Sequence, residues 1–174
     1  MSAVRPPEGA RSAARQGEGN PVSPPPALLV LGWGNLSRGD DALGPLCVAA
    51  LREQLPAQLR DQIEFLDEYQ LQVEHALDLV GRARVLLIDA SLDCAAPFHV
   101  STPQPRRDSS FTSHALSPEA LLQVFADLQG HAPPPATLLA IRGEAFELGE
   151  PMSAAAQTHL DAAILWALDW LKAP

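Results

Sequence analysis

The apolar positions of this chain fall into short blocks with two different spacings. Leu28-Leu29-Val30-Leu31 is a continuous apolar run, and Ala27–Gly32 reads as a buried strand. Leu43, Leu46, Cys47, Ala50 and Leu51 then recur at three- and four-residue steps, which predicts a helix over Asp41–Leu55. Gln62–Asp67 reads as a second strand and Gln72–Val80 as a short helix ended by Gly81. Arg84–Asp89 is a third, almost wholly apolar strand, and Phe98–Ser101 a fourth. The stretch from Thr102 to Ser117 is irregular. Ser117-Pro118-Glu119 then opens a helix to about Leu128, with serine as N-cap and proline in the first turn. Gly130–Pro135 is a break, Ala136–Ile141 a fifth strand, and Ser153–Leu171 a terminal helix.

Strands that alternate with helices predict an α/β fold: a three-layer sandwich with a twisted, mainly parallel five-stranded sheet flanked by helices. Ligands of such sheets bind at the carboxyl ends of the strands. The organised part is expected to be one domain over residues 27–174. Residues 1–26, rich in Pro, Ala, Arg and Gly and closing on Pro24-Pro25-Pro26, read as a disordered leader.

Composition narrows the partners. Of the 174 residues, 47% are hydrophobic and 19% charged, and the net charge is −9 with no Lys/Arg run, so nucleic acid is not an expected partner. No apolar run reaches the ~20 residues of a membrane span, and the N-terminus has no secretory apolar region, so membrane insertion is not expected. Two cysteines, Cys47 and Cys94, cannot form a disulfide scaffold; both read as buried small hydrophobes, and the expected location is cytoplasmic.

The candidate chemistry lies at the strand ends. The first strand runs into Gly32-Trp33-Gly34-Asn35-Leu36-Ser37-Arg38-Gly39-Asp40-Asp41-Ala42-Leu43-Gly44. The second ends at Asp67-Glu68 and the third at Asp89. If the strands are parallel, these carboxylates share one rim, where they repel unless a cation joins them. Asp40 reads as a helix N-cap and Asp41 as a first-turn acid. Asp and neutral His suit zinc, nickel and similar ions. Of the five histidines, His159 reads as solvated on the terminal helix, His131 lies in a proline-rich loop, His99 alternates in a strand and His75 sits on the short helix. His114 stands in the irregular segment before a helix N-cap, where a rigid scaffold presents functional side chains. A dinucleotide fold fits poorly: the third glycine of G-x-G-x-x-G is Ser37, and Asp67 lies about 35 residues on, not ~20. There is no G-x-S-x-G elbow for a serine nucleophile.

Gly32-x-Gly34-Asn35 followed by Asp40-Asp41-x-x-Gly44, the apolar strand ending in Asp89, and Thr112-Ser113-His114-x-Leu116 together resemble the hydrogenase maturation proteases. These endopeptidases trim the C-terminus of the large subunit of nickel-iron hydrogenases. The resemblance covers about Leu28 to Leu171. It implies an α/β sandwich and a metal-dependent endopeptidase that removes the C-terminal extension of a nickel-loaded large-subunit precursor. It places the catalytic and metal-binding set on Asp41, Asp89 and His114. The implied nickel is presented by the substrate, and another divalent metal could occupy the site; polarising the scissile carbonyl, activating water and positioning the substrate all remain open as its role. Gly34, Asn35, Asp67, Tyr69 and Gln70 are the implied substrate contacts. Many members carry Asp-Gly-Gly after the second strand, where this chain has Asp67-Glu68-Tyr69-Gln70-Leu71-Gln72. That resembles the branch serving soluble, NAD-linked bidirectional hydrogenases. Arg106 and Arg107 are candidates to pair with an acidic stretch of substrate, or are solvated loop charges. The alternatives are a non-catalytic nickel-sensing or hydrogenase-docking module and a nucleotide-binding α/β enzyme.

Overall fold

A computed structural model describes residues 24–107 and 116–173. The leader up to residue 23 and the segment 108–115, which contains Thr112, Ser113 and His114, lie outside the described residues. Along the chain come β1 (Leu28–Trp33), a 3-10 turn (Gly39–Ala42), α1 (Leu43–Gln54), α2 (Ala57–Arg60) and β2 (Ile63–Glu68). A second 3-10 turn (Val73–Ala76), β3 (Arg84–Ser91), β4 (Phe98–Ser101), α3 (Pro118–Gln129), β5 (Ala136–Arg142) and α4 (Ala154–Lys172) follow.

The strands form one sheet in the order β2-β1-β3-β5-β4. The first four in that order are mutually parallel, and β4 closes the edge antiparallel to β5. Successive side chains of a strand point to opposite faces, so each central strand feeds two cores. Leu29, Leu31, Trp33, Val85 and Leu87 pack with Leu121, Leu122 and Phe125 of α3. Val30, Leu86, Ile88, Leu139 and Ile141 pack with Val48 and Leu51 of α1 and Leu160, Ala163 and Ile164 of α4. This is the expected sandwich, with a helical layer on each face.

The strands and long helices lie within a residue or two of their expected bounds. Ser117 and Ser153 each cap a helix, accepting the N–H of Ala120 and Ala156 at 3.1 Å. One element differs. Gln72–Val80 is not an α-helix: the bonds run three residues back, from Leu77 N–H to Glu74 O (3.0 Å) and from Asp78 N–H to His75 O (3.1 Å). The His75 ring captures the Gln72 N–H at its Nδ1 (2.9 Å), which tightens the first turn. The four-residue α2 was not expected, since four residues carry no periodic signal.

Candidate active site at the carboxyl rim of the sheet

Parallel pairing brings the ends of β1, β2 and β3 to one rim. Gly32 is in register with Asp67 on one side and Ile88 on the other, so Asp89 stands one residue beyond, next to Trp33. Asp89 continues the parity of Val85 and Leu87 and faces the α3 layer.

The loop after β1 returns Asp41 to this rim through two glycines. Gly34 has φ +146°, and a Cβ there would lie 1.9 Å from the Asp41 carbonyl oxygen. Gly44 lets the start of α1 press against the strand ends: its Cβ would fall 2.3 Å from the Trp33 carbonyl oxygen and 2.9 Å from that of Ile88. The Asn35 N–H donates to Asp41 Oδ2 (3.1 Å), fixing that carboxylate toward the loop.

Asp41 and Asp89 are close enough to repel. Burial, first, and the Asp41 charge push the Asp89 carboxyl up to about 7, while the Ala90 N–H (2.8 Å to Oδ1) and a hydrogen bond with the Trp33 side chain act in the opposite direction. At neutral pH Asp89 therefore stands near half-protonation. It can take or give a proton there, and the pair favours any cation placed between its members. Among the described residues no three His, Cys, Asp or Glu side chains form a metal-holding group. Asp41 and Asp89 make a two-carboxylate site, and His114 lies outside the described residues.

Beside the pair, Gly34, Asn35, Leu36, Pro45, Asp67, Glu68 and Tyr69 line a cavity of about 230 Å³. Asn35 Nδ2 donates to the Tyr69 hydroxyl (3.2 Å) across its mouth. Four of the five expected substrate contacts thus meet in one cleft. Gln70 is exposed and is not among its lining residues. Asp67 is exposed and ion-paired with Arg52 (3.4 Å), one strand away from the Asp41–Asp89 pair.

Asp40 is not the cap it was expected to be. No side-chain bond caps the turn it sits in, and its carboxylate is fully buried. Its Oδ2 accepts from the N–H of Glu144 (2.7 Å) and of Ala145 (2.9 Å) and from the Ser153 hydroxyl (2.9 Å), and its Oδ1 from the Ser153 N–H (2.7 Å). Burial raises its carboxyl, but these bonds outweigh that and hold it below the ordinary value. The partners lie more than a hundred residues away, so no local pattern announces them. The same holds for Trp33, which reads as one more apolar residue at a strand end.

The other histidines are accounted for. His75 is buried, its Nε2 3.8 Å from Glu68. His159, expected to be solvated, is half-buried, with Nδ1 2.8 Å from the Arg142 carbonyl oxygen, because its face of α4 lies over the end of β5. His131 packs edge-on against Phe125 (5.4 Å), and His99 is exposed on β4. Cys47 is buried, and burial pushes its thiol up to about 12. Cys94, only half-buried, donates to the Ala140 carbonyl oxygen (3.4 Å). Arg107 is ion-paired with Asp127 (3.0 Å). No helix among the described residues is long and apolar enough to cross a membrane.

No known family's sequence model matches the chain, and no curated protein sequence matches it significantly. Solved structures do. The chain is similar to the [NiFe] hydrogenase maturation protease HycI of Thermococcus kodakarensis at 18% identity and TM-score 0.66, over 87% of this chain and 96% of that one. It is similar to the hydrogenase maturating endopeptidase HybD of E. coli at 24% identity and TM-score 0.66, over 83% and 91%. A hydrogenase 2 maturation peptidase from a Thaumarchaeota archaeon gives 23% identity and TM-score 0.58, over 83% and 97%. The fold of this chain is the fold of the hydrogenase maturation proteases.

Proposed function

We propose that the chain is an endopeptidase that removes the C-terminal extension of a nickel-iron hydrogenase large-subunit precursor. The observation that carries the reading is the convergence of Asp41 and Asp89 at the carboxyl rim of this fold, beside a cleft lined by Asn35 and Tyr69. The first-strand signature, Asp89 and His114 stand in the order that the resemblance requires, and the described chain re-enters the α3 layer at Leu116, on the face toward which Asp89 points.

The donor set fits a divalent ion. Two carboxylates whose joint ionisation is opposed by burial and mutual repulsion are stabilised by a cation, and an imidazole from His114 would complete an Asp/Asp/His set with vacant positions. In this reading the nickel belongs to the precursor, and Asp41, Asp89 and His114 recognise it there. A divalent ion so held supplies Lewis acidity toward a peptide carbonyl or a water molecule. The chain's own residues do the rest. Asn35 holds Asp41 in place through its N–H, Asp89 holds or releases a proton near neutral pH, and the Asn35–Tyr69 cleft receives an extended segment of the precursor. In this reading the stretch Asp67-Glu68-Tyr69-Gln70-Leu71-Gln72, which resembles the branch serving NAD-linked bidirectional hydrogenases, makes the large subunit of that class the proposed partner, and the two cysteines, too few for a disulfide scaffold, fit a proposed cytoplasmic location.

The test is to incubate the purified chain with nickel-loaded precursor and follow the precursor's intact mass. Loss of a C-terminal fragment is expected. Stable binding with no change in mass would favour the docking module instead. Thermal stabilisation by NAD or ATP would favour a nucleotide-binding enzyme, and none is expected.

A further inference from the structure

Asp40 stands next to Asp41 but faces the other way. Its carboxylate is fully buried, and the four bonds it accepts come from neutral donors of the 143–153 loop. A carboxylate only accepts, so it satisfies all four donors at once; an amide or hydroxyl in its place would turn at least one of its own hydrogens toward them. A buried anion is costly, and a joint that merely closed two loops could be made from neutral groups.

The rest of the joint shows what it holds. The Asp40 N–H donates to the Ala145 carbonyl oxygen (2.7 Å), the Gly39 N–H to that of Glu150 (3.1 Å), and the Gly149 N–H to that of Ser37 (2.8 Å). Arg38 Nε donates to the Phe146 carbonyl oxygen (2.8 Å). The turn that carries Asp41 is thus fastened along its length to the 143–153 loop. On its opposite side the Asn35 N–H bonds the Asp41 carboxylate, and the close fit of Gly34 against the Asp41 backbone carbonyl locates the main chain that carries it. The loop joins β5 to α4, and its last residue, Ser153, both donates to Asp40 and caps α4.

We propose that Asp40 is the positioning residue of the candidate site: by clamping the Gly39–Ala42 turn to the 143–153 loop, it sets where the Asp41 carboxylate stands relative to Asp89. This rests on the reading of Asp41 as a substrate-contacting group. Its consequence is that the 143–153 loop, which contributes no residue to the proposed Asp41, Asp89 and His114 set, governs the site.

The experiment compares Asp40→Asn with Leu171→Ala, a buried core variant at the far end of α4, beside Leu28 and Ile63 at the strand starts and so at the opposite end of the sheet from the rim. Two quantities are read: cleavage of nickel-loaded precursor, and the amide exchange rate of Asn35, with the exchange of Val30 in the central strand followed alongside as the measure of global stability. For Asp40→Asn the Asn35 exchange rate is expected to rise at least about tenfold and kcat to fall by about 10- to 100-fold, with KM within about threefold. Leu171→Ala is expected to lower the melting temperature and speed Val30 exchange while leaving Asn35 exchange and kcat unchanged. If Asp40→Asn does not fold, Ser153→Ala removes one donor of the joint and is expected to move Asn35 exchange and kcat in the same direction by less. An Asn35 exchange rate unchanged in Asp40→Asn, or in Ser153→Ala if that variant stands in, or raised equally by Leu171→Ala, would overturn the assignment. Should the wild-type chain cleave nothing, the proposed function falls, while the Asn35 exchange rate still decides whether Asp40 positions Asp41.

Discussion

Replacing Asp89 by asparagine should stabilise the protein at neutral pH and leave it nearly unchanged in mild acid. The Asp89 carboxyl rises from 3.8 to about 7 in the fold, chiefly through burial and secondarily through Asp41. Below about pH 4 the group is protonated in both the folded and unfolded chains and contributes no pH dependence. Between about pH 4 and 7 the unfolded chain loses this proton and the folded chain keeps it, so stability falls as pH rises, by about 1.4 kcal/mol per pH unit. Over the three or so units of the shift, the penalty reaches about 4 kcal/mol and then levels off above pH 7. Asparagine has nearly the same shape and no such proton. The stability difference between variant and wild type should therefore open by about 2–4 kcal/mol from pH 4.5 to 8. Urea unfolding of both proteins at half-unit pH intervals measures it, and groups that titrate alike in both cancel. Parallel pH profiles would refute the reasoning, because they would mean that Asp89 ionises as freely in the fold as in the open chain.

Three further outcomes follow from the packing and the hydrogen bonds. Asp40 is the reverse of Asp89: its folded carboxyl lies below the ordinary value, so its stabilisation is whole above about pH 4 and lost as pH falls through the folded value, and Asp40→Asn should flatten the acid limb of the stability profile in acid unfolding followed by circular dichroism. Phe125→Ala, at a side chain 2% exposed between α3 and the sheet, should cost about 3–5 kcal/mol in urea unfolding. Ser117→Ala removes the acceptor for the Ala120 N–H and should cost about 1 kcal/mol in the same assay.

Much of the architecture could be read from the chain because its signals are local. Apolar runs ending in Gly, Asp or a capping serine set the strands and long helices, and the alternation of strand and helix implied parallel pairing. Parallel pairing in turn put Asp89 and the glycine–aspartate loop on one rim. What could not be read depends on distant partners. Asp40 next to a helix start looks like a cap, yet its donors come from Glu144, Ala145 and Ser153. The Gln72–Val80 segment has helical spacing, but the His75 ring takes the first N–H and the turns tighten to three residues. Trp33 carries no pattern that distinguishes an indole beside a carboxyl from one more core residue. The glycine–aspartate loop, whose glycines only in part match a dinucleotide fingerprint, presents one carboxylate to the rim and buries the other as a clamp.

The most direct measurement is the intact mass of the large-subunit precursor after incubation with wild type and with Asp41→Asn, Asp89→Asn and His114→Ala, each with nickel-loaded and nickel-free precursor. The account predicts that only the wild-type chain with nickel-loaded precursor yields the shortened product, while all three variants remain folded by circular dichroism. A precursor left whole by the wild type, or shortened at wild-type rate by these variants, would contradict it.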